Sequence, residues 1–326
     1  IFYHAKLQLM LGIYVDDVKL VGKASNLDAG WKLLEAHIEF GPRTPFREFL
    51  GCHQKNISVP PDILSSSQII IDADLPSDHD IPLNHVDARS APAHDVQERV
   101  SCPKPTRSAP VVSSSVCAWE YSMTGFAEQC VLKYCDLANT SVERLRSVKT
   151  PGLDESSFPP DMFEKKGTLS PVAAQIVLKY LWLARNYRYD IYYVVNYLAR
   201  YVTKWNAVCD AMLYQLTCYV HTTQDFVQQC AIGDKAQDIT IGLFVDASHV
   251  PDTSTSVSTG GALLVLYGPQ TFVPITATCK KQKRTAHSST ESELIILEEA
   301  LRTEGIPYMS LWDCVLHVFD PVISDI

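Results

Sequence analysis

Asp16 and Asp17 stand side by side between two apolar stretches, Leu9-Met10-Leu11-Gly12-Ile13 before them and Val18-Lys19-Leu20-Val21 after. Apolar run, acidic pair, apolar run is the pattern of a β-hairpin with its acids at the turn. Carboxylates fixed on such a tip can ligate divalent cations. Two cations about 3.5–4 Å apart are the usual device for in-line displacement at a phosphate. A solvated Asp-Asp turn has the same pattern, so the pair alone leaves both readings open.

A second set of acids lies in the C-terminal third. Asp246 ends the alternating run Ile239, Ile241, Leu243, Val245, which reads as a central, buried strand. A carboxylate there is costly unless it is paired or binds a metal. Ser288-Ser289-Thr290-Glu291-Ser292-Glu293 opens a helix and supplies two more acids. One acid from the strand and one from the helix can hold magnesium through oxygen ligands, and metal-bound water could then attack a phosphodiester. Ser288 with Glu291, and Thr290 with Glu293, also fit the capping box, in which the glutamate only completes the helix start.

The elements that must position these acids follow from periodicity. Residues 27–40 carry the helical stripe Trp31, Leu34, Ile38, and residues 46–52 read as a short strand ending at Gly51. Residues 53–115 turn to Pro, Ser, His and Asp without sustained period, a flexible insertion with at most a short strand at 68–71. Phe126, Cys130, Tyr134 and Leu137 predict a helix closed by the Thr150-Pro151 break. Ser170 and Pro171 predict the N-cap and first residue of the next. Helices over 191–202 and 207–221 follow. Strands near 239–246, 260–266 and 272–278 then lead into a helix from Ser288 through Arg302, an α/β layout. The expected domains are therefore 1–52, the insertion 53–115, a helical part 116–235 and an α/β part 236–326.

At 326 residues the chain has room for two or three cores. Hydrophobic residues at 46% and charged residues at 20% exclude a wholly disordered chain, and no apolar run reaches the roughly 18 residues of a membrane span. The sequence opens at Ile1 in a strand-like segment without a signal-peptide layout, which suggests a piece of something longer. Ten cysteines without a C-x-x-C pair fit free buried thiols in a reducing compartment, so an intracellular location, cytoplasm or nucleus, is expected. The net charge of −9 runs against phosphate binding, but residues 62–99 hold eight acids against two arginines. Lys280-Lys281-Gln282-Lys283-Arg284 is strongly basic and is the best candidate for nucleic-acid contact, with a solvated loop as the alternative.

In order along the chain, these motifs resemble the reverse transcriptase–ribonuclease H portion of a copia-type retrotransposon Pol polyprotein. Tyr14-Val15-Asp16-Asp17 resembles the polymerase palm motif and Phe49-Leu50-Gly51 the strand after it. Thr150-Pro151, Arg188-Tyr189-Asp190-Ile191 and Leu198-Ala199-Arg200 resemble segments of the connection, the second with Tyr189 where the family has Pro. Val245-Asp246-Ala247-Ser248, Ser258-Thr259-Gly260, Lys280 to Lys283 and Ser288 to Glu293 are similar to the nuclease segment. The resemblance covers nearly all of the chain outside the insertion. It implies an α/β (α+β) assembly of truncated palm, helical thumb and connection, and partial ribonuclease H-like domain.

The same resemblance implies that Asp16 and Asp17 are polymerase metal ligands, and that Asp246 and Glu293 belong to the nuclease carboxylates with Glu291 the lesser helix candidate. Lys280, Lys281, Lys283 and Arg284 would contact the nucleic acid. Mg2+ or Mn2+ is the implied cofactor. The implied partners are RNA/DNA template-primer, RNA–DNA hybrid and the rest of the polyprotein, with no membrane. The family takes another palm Asp from upstream and another nuclease Asp from a later strand, and neither has a counterpart here. The expected chain is inactive by itself; a non-catalytic nucleic-acid-binding module and a functionless retroelement remnant are the alternatives.

Overall fold

A computed structural model describes residues 1–44, 47–60, 115–248 and 257–319. The chain is mixed α and β with antiparallel sheets. Strands β1 (Phe2–His4), β2 (Leu9–Tyr14) and β3 (Asp17–Gly22) form a three-stranded sheet, with α1 (Ala24–Glu35) packed on it. Gly30 is what lets the helix lie so close, since a Cβ there would run into the Leu9 side chain. The helix starts earlier and stops earlier than the apolar stripe suggests.

The second sheet has seven strands. These are β4 (Glu48–Phe49), β5 (Cys52–Val59), β6 (Val116–Ser122), β7 (Gln228–Ile232), β8 (Thr240–Ser248), β9 (Thr259–Gly268) and β10 (Thr271–Lys281), in the order β4-β5-β6-β7-β10-β9-β8. It crosses each of the domain divisions expected at 52, 115 and 235. The strand expected to end at Gly51 stops at Phe49. Leu50 and Gly51 have φ of 56° and 74°, so the chain turns there and returns as β5. The first residues assigned to the insertion therefore belong to β5, paired from Val59↔Val116 to His53↔Ser122 with β6. The short strand expected at 68–71 lies outside the described residues.

One face of this sheet carries the main core. Helices α2 (Thr124–Leu137), α4 (Ala173–Asn186), α5 (Tyr192–Arg200) and α6 (Ala207–Thr222) pack together there, with the short α3 (Pro160–Glu164) against α6. Tyr180, Ile176, Leu183, Leu198, Leu213 and Leu216 are fully buried between them, and Cys279 and Ala277 bring β10 into the same cluster. Ser170 and Pro171 do not open α4; the turn runs on to Val172, which caps the helix without a side-chain bond. Asn206 caps α6, its side chain accepting from the Cys209 amide at 3.0 Å. On the opposite face α7 (Ser289–Ala300) covers β8 and β9, then passes through a π-helical turn, Leu301–Gly305, into α8 (Ile306–Phe319). No helix among the described residues is long and apolar enough to cross a membrane. The described cysteines are free, and burial pushes the thiols of Cys130 and Cys230 up to about 12.

Arg188 ties the helical layer together. Its guanidinium is 4% exposed, donates to both Asp190 carboxylate oxygens at 2.8 and 2.7 Å, and donates to the Thr223 carbonyl and hydroxyl at 2.9 and 2.7 Å. Tyr219 and Phe226 flank it with ring centroids 5.5 and 5.3 Å away. Arg188→Ala is expected to lower stability by about 2–3 kcal/mol, because charge-assisted bonds to buried acceptors are lost together. Urea unfolding followed by circular dichroism measures it; an unchanged midpoint contradicts that role.

Candidate functional site

At the first acidic pair, β2 and β3 pair through to Tyr14↔Asp17, leaving Val15 and Asp16 as a two-residue turn. Val15 has φ 51°. A β-branched residue in the left-handed region is a genuine outlier, the kind of local strain, about 1–3 kcal/mol, that clusters at working sites. Asp16 and Asp17 are both exposed at this tip. Tyr14 packs its ring 5.8 Å from that of Trp182, fixing the hairpin against α4. Lys19 lies 5.6 Å from the Phe49 ring, which joins β3 to the β4–β5 turn. The acids are thus held on a braced scaffold and face solvent.

The second set is partly assembled by the fold. Asp246 is exposed, because β8 is the outermost strand of the sheet among the described residues; the expectation of a central, buried strand is corrected. The alternating hydrophobics Ile241, Leu243 and Val245 share one face of β8, and α7 covers that face while the other face borders an open groove, so no strand on each side is needed. Glu293 reaches the backbone immediately after Asp246, accepting from the Ala247 amide at 3.2 Å with one carboxylate oxygen. An unpaired strand-edge N–H is satisfied in this way, and the second oxygen of Glu293 is left for other partners.

Glu291 does something different. Ser288 accepts from the Glu291 amide at 3.1 Å while the Glu291 carboxylate accepts from the His287 amide at 2.7 Å. Ser288 caps the helix and Glu291 reaches back one residue beyond the cap, to the His287 amide, so Glu291 finishes the helix start and Glu293 serves the strand. Sequence alone offered both glutamates for both tasks.

The basic run is divided between the two faces of the sheet. Lys280 pairs with Glu299 of α7 at 3.8 Å, and Lys281 falls on the opposite face by strand alternation. Gln282, 4% exposed, anchors the run, its amide donating to the Ser258 carbonyl at 2.8 Å and its side chain to the Ser292 carbonyl at 2.7 Å. Lys283 and Arg284 follow, exposed, and border a recess on α7 with Glu291, Leu294, Glu298 and Arg302. Gln282 was not singled out from sequence because its importance lies in two backbone carbonyls it happens to face.

Magnesium needs hard oxygen donors and is commonly bound by one or two carboxylates with water completing the shell. Exposed Asp246, Asp16 and Asp17 and the second oxygen of Glu293 are donors of that kind, with Asp246 and Glu293 on different faces of β8. Among the described residues no three His, Cys, Asp or Glu side chains gather to hold an ion. No family model, curated protein or solved structure matches the chain.

The two glutamates make separable predictions. Glu291→Ala is expected to speed hydrogen exchange at the His287 amide and to cost about 1 kcal/mol through the lost cap. Glu293→Ala is expected to speed exchange at the Ala247 amide and leave His287 protected. Exchange measured by NMR decides it, and equal effects of both substitutions at both amides would contradict the division of labour.

Proposed function

We propose that this chain is part of a retrotransposon RNA-directed DNA polymerase with ribonuclease H, acting on template-primer and RNA–DNA hybrid by two-metal phosphoryl transfer, and inactive in isolation. The observation that carries the reading is the placement of Glu293, rather than Glu291, on the peptide next to Asp246. A strand acid and a helix acid distant in sequence are brought to one strand end, Glu293 at the edge of β8 and Asp246 on its groove face, which supports the nuclease reading. The braced, strained and exposed tip bearing Asp16 and Asp17 supports the polymerase half.

In this reading Asp246 and Glu293 would each supply an oxygen to Mg2+ or Mn2+ at the end of β8, and Asp16 and Asp17 would do so at the hairpin tip. When bound, the ions neutralise charge on the phosphate and lower the pKa of attacking water or hydroxyl. Glu293 keeps one oxygen on the Ala247 amide, which fixes the orientation of the other. Lys283 and Arg284 contact phosphates, positioning a duplex without reading its sequence. Among the described residues each site draws on two acids.

A second reading, a nucleic-acid-binding module without catalysis, draws on the exposed Lys283 and Arg284. One experiment serves both. The purified chain is incubated with labelled RNA–DNA hybrid and with primed template in Mg2+ or Mn2+. The expected result is neither cleavage nor extension, with hybrid binding that weakens steeply as salt rises and falls when Lys283 and Arg284 are both changed to Glu. Robust turnover would show the acid sets to be sufficient and refute the claim of inactivity. Absence of hybrid binding at low salt would sink both readings.

A further inference from the structure

Of the described helices α8 is the most apolar, yet Val318 is its only buried residue. A helix that is apolar nearly all round is one that other elements cover. Its sequence carries two apolar stripes, each spaced alternately three and four residues apart, as in a seam between helices. Tyr308, Leu311, Val315 and Val318 turn toward the protein: Val318 is buried, and burial pushes the Tyr308 phenol up to about 12. Met309, Trp312, Leu316 and Phe319 lie one residue further on, about 100° round the helix. Met309 and Phe319 are 55% and 41% exposed, and Trp312 and Leu316 are only partly buried. Beside this second stripe β1, the outer strand of its sheet among the described residues, packs on α8. It brings Ile1, Phe2 and Tyr3, each more than half exposed.

Charge and size decide what such a surface fits. Within α8 there is no Lys or Arg, only Asp313 and His317. Nothing there would meet a phosphate, whether of an anionic lipid or of a nucleic acid. At 14 residues the helix is also too short to cross a bilayer. The exposed parts of Ile1, Phe2, Tyr3, Ile306, Met309 and Phe319 together come to roughly 600 Å², given that a whole aromatic side chain offers 150–250 Å². A stable pair of proteins takes about 800 Å² from each partner, an apolar centre inside a polar rim. The patch therefore has the size and composition of such a centre.

We propose that α8 and β1 form the interface of a homodimer, the Met309–Phe319 stripe of one copy interlocking with the same stripe of the other across a two-fold axis. A seam of alternating three- and four-residue spacing is complementary to itself, so a second copy supplies the matching surface. The inference stands apart from the reading of the acidic sites.

Sedimentation equilibrium on the whole chain at about 1–100 μM tests it, the weak end of the range for an interface of this size. A monomer–dimer equilibrium is expected. Met309→Glu and, separately, Phe2→Glu should each weaken it at least about tenfold, because an unpaired carboxylate would be buried in the pair. Both positions are more than half exposed in the single chain, so the thermal midpoint of the monomer should stay unchanged. Leu178→Glu, at an exposed apolar residue of α4, is the control and should leave the dimer intact. A chain that stays monomeric at 100 μM overturns the proposal. So does a dimer that survives both substitutions, one that Leu178→Glu weakens as much, or association that continues past two copies. None of these outcomes bears on hybrid binding, so the two readings fail separately.

Discussion

The antiparallel register of β8 on β9, Asp246 opposite Gly261 and Ala247 opposite Gly260, is the constraint on which the candidate nuclease site depends. Strand side chains alternate, so a slip of one residue would exchange every side chain between the two faces. In the observed register Leu243, Val245 and Ala247 are turned toward α7, and Phe244, Asp246 and Ser248 toward the groove. The Ala247 amide points away from β9 and is free to take Glu293. That one bond puts a helical acid at the end of a strand without bringing the two carboxylates onto the same face.

Register alone does not place the helix. Gly260 leaves room for α7: a Cβ there would strike Ile296, which is 2% exposed and is the buried residue by which α7 seats on β9. Gln282 fixes the helix from the other direction by holding the Ser292 carbonyl one residue before Glu293. Ser288 and Glu291 close its first turn. Three local arrangements, a small residue, a buried amide and a cap, thus set the position of one carboxylate to within a hydrogen bond. Each is weak by itself, about 1 kcal/mol for a typical bond, but they act on the same turn.

Much of this was legible in the sequence, in proportion to how local the governing interaction is. The hairpin at Asp16 and Asp17, the β9–β10 meander and α6 follow directly from period and turn chemistry. The Asn206 cap and the Thr259–Lys281 pairing fall close to the expected bounds. The misplaced features are those decided by distant partners. Alternation along Ile239 to Val245 says that one face is covered and says nothing of the strand's lateral neighbours, so the edge position of β8 could not be read from it. Leu50 and Gly51 turn rather than end a strand because β5 finds β6 more than fifty residues on, as in Ile57↔Ala118. The choice between Glu291 and Glu293 depended on the Ala247 amide, which no local pattern mentions.

The exposure of the acids explains how the chain can carry them and still fold. A buried, unpaired carboxylate would cost several kcal/mol and demand its metal before folding. Asp16, Asp17 and Asp246 instead stand in solvent on a hairpin tip and an outer strand, where hydration carries their charge. Glu293 has its one necessary bond from the protein itself. The polar chemistry is therefore laid over the scaffold instead of being built into its core, whose large buried residues, Tyr180, Ile176 and Leu183 among them, lie in the helical layer. The same arrangement makes ion affinity weak until further oxygen ligands arrive, because a pair of solvated carboxylates gives little charge and little enclosure. Folding of such a chain rests on packing and strand register, and ion binding at these acids would rest on further oxygen donors.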